Sequence, residues 1–148
     1  MIQGKWFSPG TDLSEVLSVR RAVFSREGDD LDAESWNVLV YEDDVPAATG
    51  RIWWREGAFR LGDIGVLPAR RGRKLGDLTL RLLLFKARSH AAREVRLCCP
   101  PDTAGFFERL GFRALPSSGG ETEMFLPGDA IELDACKSCR KENCPNRA

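Results

Sequence analysis

The chain has 148 residues, a length that fits one compact domain. Its 22 lysine and arginine residues match its 22 aspartate and glutamate residues, and this formal charge of zero argues against a generic nucleic-acid-binding protein. Hydrophobic residues make up 43% of the chain, which excludes the composition typical of disordered proteins. The longest apolar run, about Leu82 to Phe85, is far short of the roughly 20 residues that cross a bilayer.

The first half of the chain predicts a strand, a helix and then a three-stranded meander. Residues 2–8 form a short apolar and aromatic segment, as in a strand. Apolar residues then recur with helical spacing over 13–24. Thr11 or Asp12 can cap this helix, with Glu15 closing a capping box on Asp12. The remaining elements of this half are expected to be an acidic loop at 26–35 and strands at 36–41, 46–54 and 59–67.

The second half begins with a sharp change of composition at residues 68–76, a basic turn that contains glycine. The longest expected helix follows at 75–91, and its mostly apolar surface predicts that most of it is buried. Beyond it we expect a strand at 94–99, a short helix from Asp102 or Thr103 to Leu110, and paired strands at 112–115 and 122–126. This order predicts a mixed α/β fold for residues 1–128, followed by a tail at 129–148.

The basic turn before the long helix concentrates positive charge in a chain that is neutral overall. Its cationic side chains are Arg70, Arg71, Arg73 and Lys74. A glycine-containing turn at a helix start exposes free backbone N–H groups at the positive end of the helix dipole, an arrangement that binds pyrophosphate. The competing interpretation is a solvated basic turn whose glycine only makes it tight. The glycine spacing matches neither the P-loop nor the dinucleotide fingerprint.

Two segments resemble the signatures of the GNAT superfamily of acyl-CoA-dependent N-acyltransferases. Residues 66–76, VLPARRGRKLG, are similar to its acyl-CoA motif, and residues 104–112, AGFFERLGF, are similar to its second signature. The segments 21–32 and 48–52 are similar to the ElaA/YjcF-like branch of the superfamily. The resemblance covers roughly residues 13–126, with both signatures in the right order. It implies a central, mostly antiparallel sheet with one splayed parallel strand pair and flanking helices.

The resemblance implies an N-acetyltransferase that moves the acetyl group of acetyl-CoA to an amine by direct attack. It implies that the pantetheine arm pairs with strand backbone near Ile64 and Val66, in the V between the strands 59–67 and 94–99. It also places Phe107 at the cofactor, and it places the pyrophosphate on Arg71, Gly72, Arg73, Lys74, Leu75 and Gly76. The implied acceptor is a small-molecule amine or a protein amine, and a homodimer is one assembly left open.

Two residues depart from the family pattern. Lys74 replaces the middle glycine of the acyl-CoA motif, where a side chain crowds the approach of the phosphate unless it turns outward. Phe107 occupies the position of the tyrosine that usually protonates the leaving thiolate, and the single tyrosine of the chain, Tyr41, is expected in the meander. These departures favour the alternative of a catalytically degenerate protein that binds acetyl-CoA as a sensor or a structural ligand.

Amine attack on a thioester needs a base that accepts the amine proton, directly or through water. Asp63 is the best-placed carboxylate, and the competing interpretation gives it a structural hydrogen bond or ion pair. Cys98, at the end of the second splayed strand, is a candidate nucleophile or a packing residue. An acidic lip that attracts a cationic amine, or only a solvated loop, is expected from Asp29, Asp30, Asp32 and Glu34. Trp36, Trp53 and Trp54 are candidates for an acceptor pocket, but alternation along the strand puts Trp53 and Trp54 on opposite faces, so at least one of them is expected in the core or at an interface.

Three cysteines near the end of the chain, Cys136, Cys139 and Cys144, begin with the C-x-x-C spacing of metal ligands. Zinc or iron is the expected metal. A fourth ligand comes from His90, Cys98, Cys99 or another chain, or it is absent. The competing interpretations are a tail with reactive thiols or a disulfide between the first two of these cysteines. A third function class, which rests on this tail alone, is a metal-binding or redox interaction module.

The five cysteines are an odd number and do not resemble the disulfide framework of a secreted protein. The first residues show neither the apolar segment nor the cleavage site typical of a signal peptide. The expected location is therefore the cytoplasm, with no membrane partner and no nucleic-acid partner.

Overall fold

A computed structural model describes residues 1–116 and 120–131 of the chain. The strands in this range are β1 (Ile2–Phe7), β2 (Trp36–Glu42), β3 (Val45–Arg55), β4 (Ala58–Val66), β5 (Glu94–Cys99), β6 (Arg113–Ala114) and β7 (Thr122–Pro127). The helices are α1 (Ser14–Phe24), α2 (Leu75–Ser89) and α3 (Ala104–Glu108). The strands form one sheet in the order β1-β2-β3-β4-β5-β7-β6. No described helix is long and apolar enough to cross a bilayer.

Helices α1 and α2 cover opposite faces of the sheet, and strand β2 shows this directly. Leu39 packs with Val16 and Val19 of α1. The preceding residue, Val38, packs in a larger core with leucines of α2, because successive side chains of a strand point to opposite faces. Helix α3 lies on the α2 side, since Phe107 belongs to the same core. Burial on both faces explains why β2 is a continuous apolar run and not an alternating one.

Strands β2 to β4 form the antiparallel meander that the sequence predicts, and β1 pairs antiparallel with β2. The hairpin turn after β2 has positive φ values at Asp43 and Asp44, and the turn after β3 has them at Glu56 and Gly57. Two successive residues with positive φ are typical of the tight turns whose twist matches that of the flanking strands. Both turns lie in the gaps between the predicted strands 36–41, 46–54 and 59–67.

Strand β4 carries an extra residue where it pairs with β3. Thr49 pairs with Gly65 but Arg51 pairs with Gly62, so the pairing shifts by one residue around Asp63. Asp63 has a φ of 50°, a left-handed conformation that aspartate tolerates better than most residues do. This bulge bends β4 close to the point where it leaves β5, and no pattern in the sequence indicates it.

A cleft opens between β4 and β5 because the two strands are parallel neighbours over a short stretch. The pairs are Phe59–Val95, Arg60–Arg96 and Leu61–Leu97. Beyond them the described residues of the two strands no longer pair, while β5 continues to pair with β7. We call the gap between residues 62–66 of β4 and 98–99 of β5 the β4–β5 cleft. The mixed α/β sheet with one parallel pair that separates is therefore confirmed.

The capping box predicted on Asp12 does not form, so this prediction is wrong. Helix α1 begins at Ser14, and Asp12 accepts a hydrogen bond of 3.0 Å from the Ser14 backbone N–H. The Glu15 carboxylate accepts a hydrogen bond of 2.6 Å from the Tyr41 hydroxyl. A contact with strand β2 therefore holds the carboxylate that the capping box would have used.

A capping box forms instead in the acidic stretch that the sequence predicts as a loop. Residues Asp30–Ala33 make one turn of 3-10 helix. The Asp29 carboxylate accepts a hydrogen bond from the Leu31 N–H, and the Asp32 carboxylate accepts one from the Asp29 N–H, both at 3.0 Å. The turn fixes the positions of these two carboxylates next to the sheet.

Candidate active site

The segment after β4 places a row of free backbone N–H groups at the start of α2. Pro68–Arg70 form one 3-10 turn, and the chain then passes through Gly72 and Lys74, whose φ values of 83° and 62° are left-handed. Within the described ranges, the N–H groups of residues 72–77 donate to no backbone carbonyl. They lie at the positive end of the α2 dipole, so this segment can bind an anion. We call residues 70–76 the phosphate loop.

The four cations of the phosphate loop are not all free. One carboxylate oxygen of Glu42 accepts hydrogen bonds from Arg70 Nη1 at 2.7 Å and from Arg73 Nη1 at 2.5 Å. The bond from Arg70, followed by that from Arg73, holds the pKa of the Glu42 carboxyl below its usual value, although desolvation opposes this shift. Arg71 and Lys74 make no ion pair with a carboxylate in the part of the chain that the structure describes. Two positive charges therefore stay available.

Lys74 precedes α2 in a conformation that glycine adopts without strain. Its side chain makes no capping hydrogen bond to the helix. The left-handed conformation costs a residue with a side chain roughly 1 kcal/mol. The departure from the family motif at this position therefore changes the side chain but keeps the glycine-like path of the backbone.

The start of α2 meets the end of β4 beside the β4–β5 cleft. A Cβ atom placed on Gly76 would lie 3.5 Å from Val66 Cγ2 and 3.7 Å from Phe106 Cζ, which are ordinary contact distances. Leu75 is buried with Val66 and anchors the helix start. One end of the cleft thus holds the predicted cofactor residues of β4 and the phosphate loop, namely Ile64, Val66, Arg71, Gly72, Arg73, Lys74, Leu75 and Gly76. Their role in cofactor binding stays a prediction.

The last predicted cofactor residue, Phe107, lies in α3 and is 7% exposed. Its ring packs edge to face on Phe106, with the centroids 5.1 Å apart, and on Phe112 at 5.9 Å. The side chain offers packing surface and no proton. A general acid at this position is therefore missing.

A buried group of charges lies on the α1 side of the β4 bulge. Arg20 donates two hydrogen bonds to Asp32, at 2.8 and 3.0 Å, and Arg51 donates two to Asp29, at 2.6 and 2.9 Å. Desolvation raises the pKa of Asp32, but the bonds and charges of Arg20, with a contribution from Arg51, lower it to about 2. We call this group the arginine–aspartate cluster, and its members are Arg20, Arg26, Arg51, Asp29, Asp32 and Asp63.

Asp63 has a side chain that is 6% exposed and contacts three guanidinium groups. Its Oδ2 lies 3.4 Å from Arg20 Nε and 3.1 Å from Arg51 Nη2, and its Oδ1 contacts Arg26 Nη2. This is the ion-pair arrangement that competes with the role of general base. Arg26 is 54% exposed, so the carboxylate borders solvent through this partner. The base role stays a prediction.

The expected acidic lip is largely neutralised by arginines. Asp29 and Asp32 belong to the arginine–aspartate cluster, and Glu34 accepts a hydrogen bond of 2.6 Å from Arg55. Asp30 makes no ion pair with any residue of the described ranges. The lip therefore presents little net negative charge to an approaching amine, and it is not simply a solvated loop either, because Asp32 is buried against arginines.

Cys98 is exposed on β5, whereas the neighbouring Cys99 is buried 3.7 Å from the Met124 sulfur. Desolvation raises the pKa of the Cys98 thiol, and the carboxylates of Glu123 and Glu121 raise it further. A thiol that keeps its proton is a weak nucleophile. The nucleophilic role of Cys98 stays a prediction, and this environment opposes it.

One of the three tryptophans expected at the acceptor pocket lies at the β4 bulge. The Trp53 ring passes 3.0 Å from the place that a Cβ atom on Gly62 would take, and the Arg51 guanidinium lies 5.3 Å from its centroid. Trp36 lies on the other face of the sheet against α2, and Trp54 packs near the start of β4. The three residues therefore do not form one pocket.

The predicted metal ligands Cys136, Cys139 and Cys144 lie outside the described residues. Among residues 1–116 and 120–131, no group of three or more histidine, cysteine, aspartate or glutamate residues could hold a metal ion. His90, a candidate fourth ligand, packs at a tilt against Phe59 with the centroids 6.1 Å apart. The described structure therefore gives no support to a zinc or iron site.

Comparisons with known proteins show a family match and one curated relative. The family model of the acetyltransferase (GNAT) family matches residues 7–112. The uncharacterized N-acetyltransferase YjcF of Bacillus subtilis is 27% identical over 111 residues, which cover 70% of this chain and 79% of YjcF.

Two solved structures share the fold. Escherichia coli ElaA has a TM-score of 0.69 at 21% identity, and an acyl-CoA N-acyltransferase from Pseudomonas aeruginosa has a TM-score of 0.76 at 20% identity. Each match covers 84% of this chain and 99% of the other chain. The resemblance found in the sequence is confirmed, and the chain belongs to the acetyltransferase (GNAT) family.

Proposed function

We propose that this protein transfers an acetyl group from acetyl-CoA to an amine by direct attack. Acyl transfer from CoA to an amine is the activity that the family supports. The observation that carries the proposal is the phosphate loop, whose free N–H groups and two unpaired cations lie at the end of the β4–β5 cleft. Although the chain is neutral overall, positive charge is concentrated at the end of the β4–β5 cleft, where an anionic cofactor can enter.

The cofactor is proposed to lie along the cleft with its pyrophosphate on the backbone of residues 71–76. The N–H groups there satisfy phosphate oxygens at the positive end of α2. The pantetheine arm is proposed to pair with β4 near Ile64 and Val66, because β5 has already separated from this part of β4. The thioester then lies near the bulge at Asp63.

In the proposed reaction, the amine nitrogen attacks the thioester carbon and forms the new C–N bond. The oxyanion of the tetrahedral intermediate is stabilised by a β4 backbone N–H near Val66. The intermediate collapses when the C–S bond breaks, and CoA leaves as a thiolate that takes a proton from water. Water serves as the donor because Phe107 has none. The raised pKa of Cys98 supports direct attack over an acyl-cysteine intermediate.

The amine must lose a proton to a base before or during the attack. Asp63 is the candidate, and its three arginine partners support the competing role of holding the bulge. Replacement of Asp63 by Asn separates the two roles. If Asp63 is the base, the change lowers kcat by about 100-fold or more, whereas loss of a structural carboxylate lowers the free energy of unfolding and leaves the kcat of the folded protein nearly unchanged. On the observed ion pairs we expect the second outcome, with the amine proton passing to water.

The acceptor is proposed to approach from the α1 side of the sheet, where Trp53 and the exposed part of Arg26 border the bulge. This side is open to a small-molecule amine or to an amine at the surface of a protein. The neutralised lip supports recognition by contacts other than attraction of a strongly cationic substrate.

Calorimetry with CoA, followed by thiol release from acetyl-CoA with a panel of amines, tests the proposal. We expect binding and amine-dependent release of CoA. Binding without thiol release for any amine would favour the alternative of a sensor or structural acetyl-CoA-binding protein, which the absence of a hydroxyl at Phe107 supports. Folded protein that binds no CoA at millimolar concentration would overturn both.

A further inference from the structure

The Glu42 carboxylate bridges two residues of the phosphate loop, one on each side of its tip. Glu42 is the last residue of β2, and its side chain is 11% exposed. Its Oε1 accepts one hydrogen bond from Arg70, before the tip, and one from Arg73, after it. The two residues enclosed by this bridge are Arg71 and Gly72. A single acceptor thus holds both sides of the loop.

Glu42 is itself firmly placed, because β2 is paired on both sides. Residue 42 pairs with Ile2 of β1 and with Val45 of β3. The loop, in contrast, has few restraints of its own. Its first part is held by hydrogen bonds from the Arg70 N–H to the Leu67 carbonyl at 2.8 Å and from the Arg71 N–H to the Pro68 carbonyl at 3.4 Å. The Arg71 side chain also donates to the Val66 carbonyl, at 3.1 Å. Beyond these, the N–H groups of 72–77 have no backbone acceptor among the described residues.

The same carboxylate also offsets repulsion inside the loop. Arg70, Arg71, Arg73 and Lys74 place four positive charges within five residues. Like charges that close together favour an open, disordered segment unless a counter-ion holds them. Glu42 holds two of them and leaves the other two for a ligand.

We propose that Glu42 is a positioning residue for acyl-CoA, one that fixes the phosphate loop through Arg70 and Arg73 before the cofactor arrives. This inference rests on the proposed function. Glu42 does not touch the phosphates, which its negative charge would repel. Because Glu42 already restricts the loop, less conformational entropy is lost when acyl-CoA binds.

The test is the affinity of Glu42→Gln for CoA, measured by calorimetry. The neutral amide holds two guanidinium groups less tightly than a carboxylate does, so we expect binding about tenfold weaker. The KM for acetyl-CoA should rise by the same factor while kcat is unchanged, because the loop acts on binding and not on the thioester. The matched control is Glu94→Gln, which removes a strand carboxylate next to Arg96. Glu94 is the first residue of β5, so it lies at the far end of the parallel strand pair from the loop. It should leave CoA affinity at the wild-type value.

Two further measurements assign the effect to the loop. Pantetheine lacks the phosphates, so Glu42→Gln should not change its binding, whereas dephospho-CoA keeps the pyrophosphate and should show the full loss. In a variant that already carries Arg70→Gln and Arg73→Gln, the change Glu42→Gln should have no additional effect, because the partners through which it acts are gone. Glu42→Asp keeps the charge and should recover part of the affinity.

The proposal is overturned if Glu42→Gln binds CoA as tightly as wild type or more tightly, since Glu42 would then only neutralise charge. It is also overturned if the loss persists without Arg70 and Arg73. Wild-type protein that binds no CoA would instead overturn the proposed function, and this inference with it. If Glu42→Gln does not fold, Glu42→Asp gives the same decision, because affinity equal to wild type despite the shortened side chain contradicts a bridge between two arginines.

Discussion

Two arginine-rich regions adjoin the C-terminal half of β4, and they differ in whether their charges are paired and buried. In the arginine–aspartate cluster, three arginines meet three aspartates, and the side chains of Arg20 and Arg51 are 1% and 4% exposed. In the phosphate loop, four cations meet one carboxylate, and Arg73 is 52% exposed. In the first region the arginines donate their hydrogen bonds to carboxylates inside the protein. In the second region two of the four cations make no ion pair with a described carboxylate.

The difference follows from burial. A charge removed from water must be paired and hydrogen-bonded, so the cluster balances its charges and becomes part of the fold. An exposed cation is solvated by water and needs no protein partner, so it stays available to bind a ligand. The number of arginines in a segment therefore says little about binding until their partners are known, and each region should respond differently to the loss of one residue.

The largest effect is expected for the buried region. Arg51→Gln leaves Asp29, Asp32 and Asp63 without one of their shared partners. We expect a loss of about 3–5 kcal/mol in the free energy of unfolding, as for other broken buried ion pairs. Denaturant unfolding measures it. The control is Arg55→Gln, whose pair with Glu34 is about half exposed on both sides, and which should cost less than about 1 kcal/mol.

If Arg51→Gln costs no more than Arg55→Gln, burial does not separate the two kinds of pair and the comparison is wrong.

In the phosphate loop, the loss should appear in binding and not in folding. Gly76→Glu directs a carboxylate toward Val66 and Phe106 at the end of the cleft, where the phosphates are proposed to lie. Acidic residues are favourable in the first turn of a helix, so the variant should fold. We expect CoA affinity to fall on the order of 100-fold or more, because like charges repel. Calorimetry measures this.

Gly76→Ala is the matched control, because its Cβ atom meets only ordinary contacts at 3.5 and 3.7 Å. It should fold and bind CoA about as well as wild type. Equal losses for the two variants would mean that bulk, not charge, decides binding at this position.

A smaller effect on the free energy of unfolding is expected when the arginine–aspartate cluster is titrated with acid. Arg20 and Arg51 lower the pKa of Asp32 from 3.8 to about 2, so its ionised form is stabilised in the folded state. This stability is present above the unfolded-state pKa and is lost as the pH falls through about 4 to about 2. We expect about 2 kcal/mol of the free energy of unfolding to disappear over this range, and Asp32→Asn to lack this part of the pH dependence.

Asp30→Asn is the control for the substitution itself, because Asp30 has no ion pair within the described residues and its loss should change the free energy of unfolding at neutral pH by less than about 0.5 kcal/mol. A wild-type protein whose stability is flat between these pH values would contradict the assignment.

The parallel strand pair could be predicted only from the resemblance to the family, since the residue patterns alone indicate no more than a mixed α/β fold. The phosphate loop could be predicted from a local pattern, because a basic turn with glycine at residues 68–76 precedes an apolar helix. The same kind of reasoning fails at the capping box. Asp12 and Glu15 have the required spacing, as do Asp29 and Asp32, yet only the second pair forms a box. The outcome depends on distant partners, since Tyr41 holds Glu15.

The arginine–aspartate cluster and the Glu42 bridge could not be predicted for the same reason. Their partners come from α1, the loop after it, β2, β3 and β4, and they meet only once the sheet has formed. The bulge at Asp63 depends on a register shift that no residue pattern marks. The available signal was indirect, because a charged residue such as Arg51 inside an apolar strand requires a buried partner.

The smallest effect is expected where the chain departs from its family, at Phe107→Tyr. The ring is buried against Phe106 and Phe112, so the added hydroxyl must find room and a partner, at a cost of about 1 kcal/mol in stability. Because the change restores the usual proton donor, kcat should not fall, and it rises if the hydroxyl reaches the leaving sulfur. Steady-state kinetics with Phe106→Tyr as the control, which adds a hydroxyl to the neighbouring ring, shows whether the position matters. A large fall in kcat for Phe107→Tyr alone, at unchanged stability, would mean that the bare ring itself shapes the thioester site.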